Sequence, residues 1–409
     1  MDVAGKRMNI GVVSPFPPHE VADHLDAASQ AKLPAIRGVP APSVTALVRG
    51  WLRRGHHVSV FCLDPSVATI QDLRGDRLSI HVIPQRRARH SLLDFYRTEC
   101  RLIREAVRRD PPEVISAQWT YEHAWAALQC GIPTAVTCHD APWRCAWIGK
   151  NWFMTYHLAM AWRVVHRANR LVCVSPYTAR HIQKYFRPRC PVDIVPSGLM
   201  PEVFARGERR QQQAGSRPDS FNLCSVGSWG KLKNIATLLK AFASVHDRLP
   251  SARLALFGRE LGAGQAAEQW ARHRRLHEGV IFNGHTPYEK VLDYLEAEAD
   301  LLVHPSLVEA HGLALVEAMA CGVPVIGGRD SGAVPWTLEE GRSGYLCDVR
   351  DERALAKTIL EALDHPDRNQ ALVRHAWESA RRRFNNEQAV QANETILREL
   401  VTGRLKPLK

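Results

Sequence analysis

The run EAHGLALVEAMACGVPVIG, residues 309–327, holds the residues best suited to chemistry. Glu309 and Glu317 stand eight positions apart, with Gly312 between them. An ionised carboxylate only accepts hydrogen bonds, so it suits vicinal hydroxyls. The preceding DLLVHPS reads as a strand, and LALVEAMA reads as a helix that starts near Gly312 and stops at Gly322, with Pro324 beyond. The N–H groups of His311, Gly312 and Leu313 then lie at a helix N-terminus, a site for an anion such as a diphosphate. Glycine lets the anion approach the backbone closely. Glu317, just over one turn into the helix, lies near that anion site as a hydroxyl acceptor. Two further groups share this chemistry. GSWGKLKN (227–234) offers Lys231 and Lys233 as positive charge, and TCHDAPW (137–143) places His139 and Asp140 after a strand. The plain alternative for each is a solvated loop residue, and for the glutamates an ordinary strand-loop-helix.

These groups need a scaffold, and the chain supplies an alternation of strands and helices. MNIGVVSP is an apolar run ending in Ser-Pro, a buried strand and then a loop. Residues 16–42 read as a long loop. Val44, Leu47, Val48, Trp51 and Leu52 form one helical stripe, with Ser43 as N-cap and Gly55 at the end. HVSVF follows as a strand, and RLSIHVI, EVISAQ, TAVTCHD, RLVCVS and VDIVPSG continue the series. This is the start of a parallel, doubly wound sheet. ARGERRQQQAGSRPD, 205–219, lacks apolar periodicity and reads as a linker. A second alternating series begins at FNLCSVGSWG. The expected organisation is an α/β chain with one domain over 1–204, a linker over 205–219, a second domain over 220–384 and a closing helix over 385–409.

Composition narrows the partners. At 45% apolar and 23% charged, the 409 residues suit a globular chain of two or three domains. The net charge of +12 favours anionic partners: nucleic acid, an anionic membrane face or phosphorylated small molecules. Ten cysteines include no CxxC pair, and the N-terminal segment is not secretory in pattern, so the thiols are expected reduced in a cytoplasmic protein. No window reaches the ~18 apolar residues of a membrane span.

The second half resembles the retaining glycosyltransferases of the GT4 group, which have the GT-B fold. VGSWGKLKNIATLLKAF, FNGHTPYEKVLDYLEAEADLLVHPS, EAHGLALVEAMACGVPVIG and GRSGYLCD carry the likeness in order and spacing. RGHHV, TCHDAPW, LVCVSPYTARHI and VPSGLMPEVF extend it more loosely into the first half. The resemblance implies two facing Rossmann-like domains with parallel sheets, an interdomain cleft, and a closing helix that returns to the first domain. It implies that Glu309 meets the donor sugar, so the two carboxylates grip opposite ends of one sugar nucleotide. Lys233 matches the family lysine at the diphosphate. Ser228 stands where the family has arginine, and Lys231 is the candidate point charge in its stead, without arginine's fork. His139 matches a histidine on the acceptor side, able to bond the donor sugar or handle the acceptor proton. Gly38, in IRGVP, matches one glycine of a Gly-Gly loop near the phosphate. The chain has no Asp-x-Asp, so neither metal nor cofactor is expected, and positive charge must come from side chains and a helix terminus.

The acceptor is less defined. WRCAWIGKNWFMTYHLAMAWR, 143–163, interleaves Trp143, Trp147, Phe153, Tyr156 and Trp162 with basic residues. That suits a packed helix, an anionic membrane surface with a lipid-linked acceptor, or bases of a single strand. The expected function is metal-independent, retaining transfer of a hexose from a UDP- or GDP-sugar to a glycan or polyprenyl-linked acceptor in cell-surface polysaccharide synthesis. The expected location is cytoplasmic or peripheral at the inner membrane face. A sugar-nucleotide epimerase of GT-B fold, a transferase made inactive by Ser228, and a basic nucleic-acid-binding protein remain as rivals.

Overall fold

Short apolar runs separated by helical stripes build parallel sheets buried on both faces, and the computed structural model contains two of them. It describes residues 7–150, 152–212 and 220–403. The chain divides into one unit of residues Met1–Ala146, Lys150–Gly198 and Asn386–Lys409, and a second of Trp147–Gly149 and Leu199–Asn385.

The first unit holds β1 (Asn9–Val13), β2 (His57–Asp64), β3 (Gln71–Arg74), β4 (Leu78–Pro84), β5 (Val114–Gln118), β6 (Thr134–Cys138), β7 (Arg170–Cys173) and β8 (Val192–Ile194). Their order is β3-β4-β2-β1-β5-β6-β7-β8, with only β3 antiparallel. The order reverses between β1 and β5. Val44, Leu47, Val48, Trp51 and Leu52 are buried as their stripe requires, on the helix Pro42–Arg53. Ser43 is not its N-cap. Pro42 fills the first helical position, which Pro suits, and Ala41 is the capping residue without a side-chain bond. The expected loop over 16–42 contains short helical turns at Pro18–His24, Ala27–Gln30 and Leu33–Ala35.

The helix Asn386–Val401 belongs to this first unit. It lays Ala389, Val390, Ile396, Leu397 and Leu400 into the core against β5 and β6. It crosses the helix Pro42–Arg53 at Gly50, where a β-carbon would stand 2.2 Å from Val390. Arg54 bonds Glu387 and Glu394 at 2.6 Å each, which ties the two helices at one end.

The second unit holds β9 (Asn222–Ser228), β10 (Arg253–Arg259), β11 (Val280–Gly284), β12 (Leu301–His304), β13 (Val325–Gly328) and β14 (Tyr345–Cys347). All are parallel, in the order β11-β10-β9-β12-β13-β14, which reverses between β9 and β12. Such reversal points are where open α/β sheets bind ligands, outside the carboxyl ends of the strands. The stretch expected to be a linker is helical over Pro201–Gln212, and the rest of it, 213–219, lies outside the described residues. The helix forms because its arginines are matched: Arg206 meets Glu289, Asp293 and Glu296, and Arg209 meets Glu296. Arg210 donates to the carbonyls of Leu295, Glu296 and Ala299. All ten cysteines are unpaired and buried or half-buried. Among the described residues no helix is long and apolar enough to cross a membrane.

Candidate active site

In the second unit the candidates gather at the β9/β12 reversal point. Lys233 follows β9, its stem lying over the backbone of Gly227. His304 ends β12, and Glu309 lies five residues on, its N–H donating to the Ser331 carbonyl. Lys233 Nζ stands 2.5 Å from Glu309 Oε1, and His304 Nε2 stands 2.8 Å from the same oxygen. Both donors land on Oε1, which leaves Oε2 for an outside hydroxyl. Burial opposes ionisation of Glu309, but Lys233 and His304 outweigh it and hold the carboxyl well below its usual range. His304 is the member that sequence reasoning missed. It hides inside an apolar strand run, where a histidine carries no periodic signal.

The helix Leu313–Ala320 begins beside this pair. Gly312 is its N-cap at φ 80°, ψ 52°, a left-handed conformation natural to glycine. The N–H groups of His311, Gly312 and Leu313 make no hydrogen bond within the described residues, as the first turn of a helix leaves them. The His311 ring is buried edge-on against Phe384, 5.0 Å between centroids, and neither ring nitrogen has a partner. Burial, aided by the nearby Arg383 charge, lowers its pKa to about 4, so the ring is neutral near pH 7. One turn in, Glu317 is 6% exposed and makes no ion pair among the described residues. Burial raises its pKa to about 8, and a hydrogen bond from Tyr288 offsets this only in part. Tyr288 was not foreseen, since it lies 29 residues away on the helix Tyr288–Ala297.

Ser228, at the end of β9, pairs in register with Arg259 of β10. Directly paired residues share one face of a sheet, so an arginine stands one strand over from the position that lacks one. Lys231 is exposed and makes no ion pair among the described residues.

In the first unit, His139 and Asp140 follow β6, and the loop of Gly38 lies between β1 and β2. His139 Nε2 stands 2.7 Å from Gln118 Oε1. The Gln118 amide nitrogen donates to Ser116 Oγ at 2.8 Å, so its oxygen faces the ring and the proton lies on Nε2. Trp119 packs against His139 at 4.3 Å with the rings tilted by 32°, and it holds φ 62°, a strained conformation for a bulky residue. Asp140 accepts from Tyr121 at 2.5 Å while its other oxygen is buried without a partner. Burial raises Asp140 to about 6, against the pull of Tyr121. Gly38, at φ 71°, donates its N–H to Asp64 at 2.6 Å. That N–H is therefore taken, and Gly38 offers clearance rather than a donor to a phosphate. Phe153 and Tyr156 of the aromatic stretch are half-buried against the first unit's core, whereas Trp143, Trp147 and Trp162 are exposed.

The comparisons with known proteins agree with this geometry. A family model described as glycosyl transferases group 1 matches residues 207–379, and one described as glycosyltransferase family 4 matches residues 41–203. The chain belongs to this family, the GT4 group, and its two parallel-sheet units have the GT-B fold. It is 26% identical to N-acetyl-alpha-D-glucosaminyl L-malate synthase of Bacillus anthracis over 57% of this chain and 60% of that one. It is 31% identical to D-inositol 3-phosphate glycosyltransferase of Corynebacterium jeikeium over 44% of this chain and 46% of that one. The chain thus spans about half to three fifths of the length of these relatives. Sucrose-phosphate synthase from Thermosynechococcus elongatus shares the fold over 97% of this chain and 100% of its own, with a TM-score of 0.77 at 19% identity. Anabaena HepE, solved in complex with UDP-glucose, shares it over 95% and 99%, with a TM-score of 0.68 at 18% identity.

Proposed function

We propose that the chain moves a hexose from a nucleotide sugar to a hydroxyl of a glycan or lipid-linked acceptor, with retention at the anomeric carbon and without a metal. The observation that carries this reading is Glu309, held ionised through one oxygen by Lys233 and His304 beside the open N-terminus of the helix Leu313–Ala320. In the reaction the bond from the anomeric carbon to the diphosphate oxygen breaks, and that oxygen keeps the electron pair. Lys233 and the N–H groups of residues 311–313 stabilise the charge that develops there. The acceptor oxygen forms the new bond to the anomeric carbon, and His139 handles its proton. Glu309 binds a sugar hydroxyl through Oε2, and Glu317 binds the ribose. Retention is supported by the family match, and a uridine donor by the HepE complex with UDP-glucose. The relatives named for inositol 3-phosphate and malate add small polar acceptors to those worth assaying.

Calorimetry with UDP, GDP and ADP, in EDTA and then with magnesium, tests the donor site. UDP is expected to bind in EDTA, and Glu317→Ala to lose that binding. Binding that requires the metal, or that ignores Glu317, overturns the reading. Gln118 gives a second prediction. Gln118→Glu places a carboxylate against His139 Nε2, which favours the charged ring. The acid limb of UDP release from UDP-glucose is expected to move up by about one pH unit. Gln118→Met is expected to lower the rate while leaving the limb in place.

A further inference from the structure

Exposed aromatic and basic groups of the first unit flank the helix Arg97–Arg109. Leu93 ends the helix Ala88–Leu93 and is 82% exposed. Phe95 follows at 48% and Trp162 stands at 55%. Phe95 and Tyr96 hold φ of 56° and 55°, two successive left-handed residues without a glycine. Each is strained, and strain of this kind persists where the surroundings enforce it and often marks function. Here it turns the chain so that Tyr96 is buried while Phe95 stays in water.

Arginines surround these apolar side chains. Arg97, Arg101 and Arg104 of the helix Arg97–Arg109 line a hollow of about 400 Å³ with Phe95 and Trp125. Arg163 stands over the Phe95 ring at 5.6 Å, and Arg167 over the Trp125 ring at 4.9 Å. The acidic groups nearby do not neutralise them. Asp94 and Glu99 are both taken by Arg86, and Glu105 reaches Arg101 only at 3.8 Å. Glu122 is buried beside His123, and among the described residues the five arginines outnumber the carboxylates near them. None of the five belongs to the candidate active site.

We propose that this face docks the protein on an anionic phospholipid bilayer, with Leu93, Phe95 and Trp162 entering the headgroup boundary and the five arginines meeting lipid phosphates. An aliphatic tip and aromatic rings beside arginines is the composition of an interfacial anchor. A nucleic acid would use the arginines and stack on the rings but has no use for Leu93. A second copy joined by a two-fold axis would set the arginines against one another.

The test is co-sedimentation of the full chain with vesicles of pure phosphatidylcholine and of phosphatidylcholine with 30% phosphatidylglycerol. Binding is expected on the anionic vesicles, falling steeply with salt, and unaffected by millimolar inorganic phosphate. Each arginine changed to alanine is expected to weaken binding by roughly fivefold. The triple variant Arg97→Ala, Arg101→Ala, Arg163→Ala should therefore sediment little. Leu93→Ser with Phe95→Ser should weaken binding while UDP binding by calorimetry stays unchanged, which shows that the fold is intact. Equal binding to both vesicle types, no binding, or no effect of the variants overturns the proposal. So does displacement by inorganic phosphate, which identifies a free-anion site, or tighter binding to a 20-nucleotide single strand. Loss of UDP binding in the parent chain would count against the donor site alone.

Discussion

Lys233→Met is expected to slow release of UDP from UDP-glucose by about 10²–10³-fold, the usual loss for one preorganised charge-stabilising group. The methionine keeps the stem over Gly227 but removes the ammonium from Glu309 Oε1. Glu309 then keeps only His304, and burial pulls its pKa upward. Some stability goes with the activity. The ammonium side chain is 33% exposed and the carboxylate 13%, so solvent screening limits the loss to about 1–2 kcal/mol. Glu309→Gln removes the carboxylate charge while keeping its shape. The double variant should lose much less than the sum of the two single losses, because each acts through the other. Thermal unfolding and UDP release, measured on all four proteins, check this. Additive losses would mean that the two residues work separately.

Glu317→Gln is expected to stabilise the protein at pH 8 and weaken its hold on UDP. The unfolded Glu317 carboxyl loses its proton near 4.5, and the folded one near 8. The folded state therefore binds that proton more tightly. The contribution is fully present below pH 4.5, declines as pH rises, and is gone above about 8. Glutamine cannot ionise, so the variant should lack this decline. Its gain at pH 8 is on the order of 5 kcal/mol, from the difference between 4.5 and about 8 at about 1.4 kcal/mol per pKa unit. A ribose diol donates to a carboxylate, so nucleotide binding should expel the proton. The affinity of uridine, which carries no phosphate, is then expected to rise between pH 6 and 8 in the parent and stay level in the variant. Denaturant unfolding at pH 5 and pH 8, with calorimetry at both, checks both statements. A parent whose uridine affinity ignores pH would remove Glu317 from the ribose site. Glu309 acts with the opposite sign: its stabilising charge is present above pH 4.5 and lost only in acid.

The strands could be read because each is a short apolar run at a turn signal, and every one that was expected is present. Three were not read as strands: β13 and β14, which lie inside longer runs, and β3, Gln71–Arg74. The last is a polar antiparallel edge, and nothing in four residues with one buried side chain distinguishes it from a loop. The helix Pro201–Gln212 was missed for a related reason. Its partners are acidic residues some 80 positions away, and periodicity within one segment cannot register them. At the site, Glu309, Gly312 and Glu317 could be found because they share one local run. His304, Gln118, Trp119, Tyr288 and Arg259 could not. Each owes its place to strand order or register, through which distant segments meet.

The helix Asn386–Val401 sets an order of events during synthesis. The first half of the chain leaves the ribosome with its core open on the side that Val390 and Leu397 later close. About 190 residues must still be made before that helix appears, on the order of 10–40 s at ordinary elongation rates. Through that interval Trp51 and its neighbours lack their cover, and a chaperone has its longest opportunity there. A nascent chain halted before residue 386 would present that face to proteases, even with its second sheet complete.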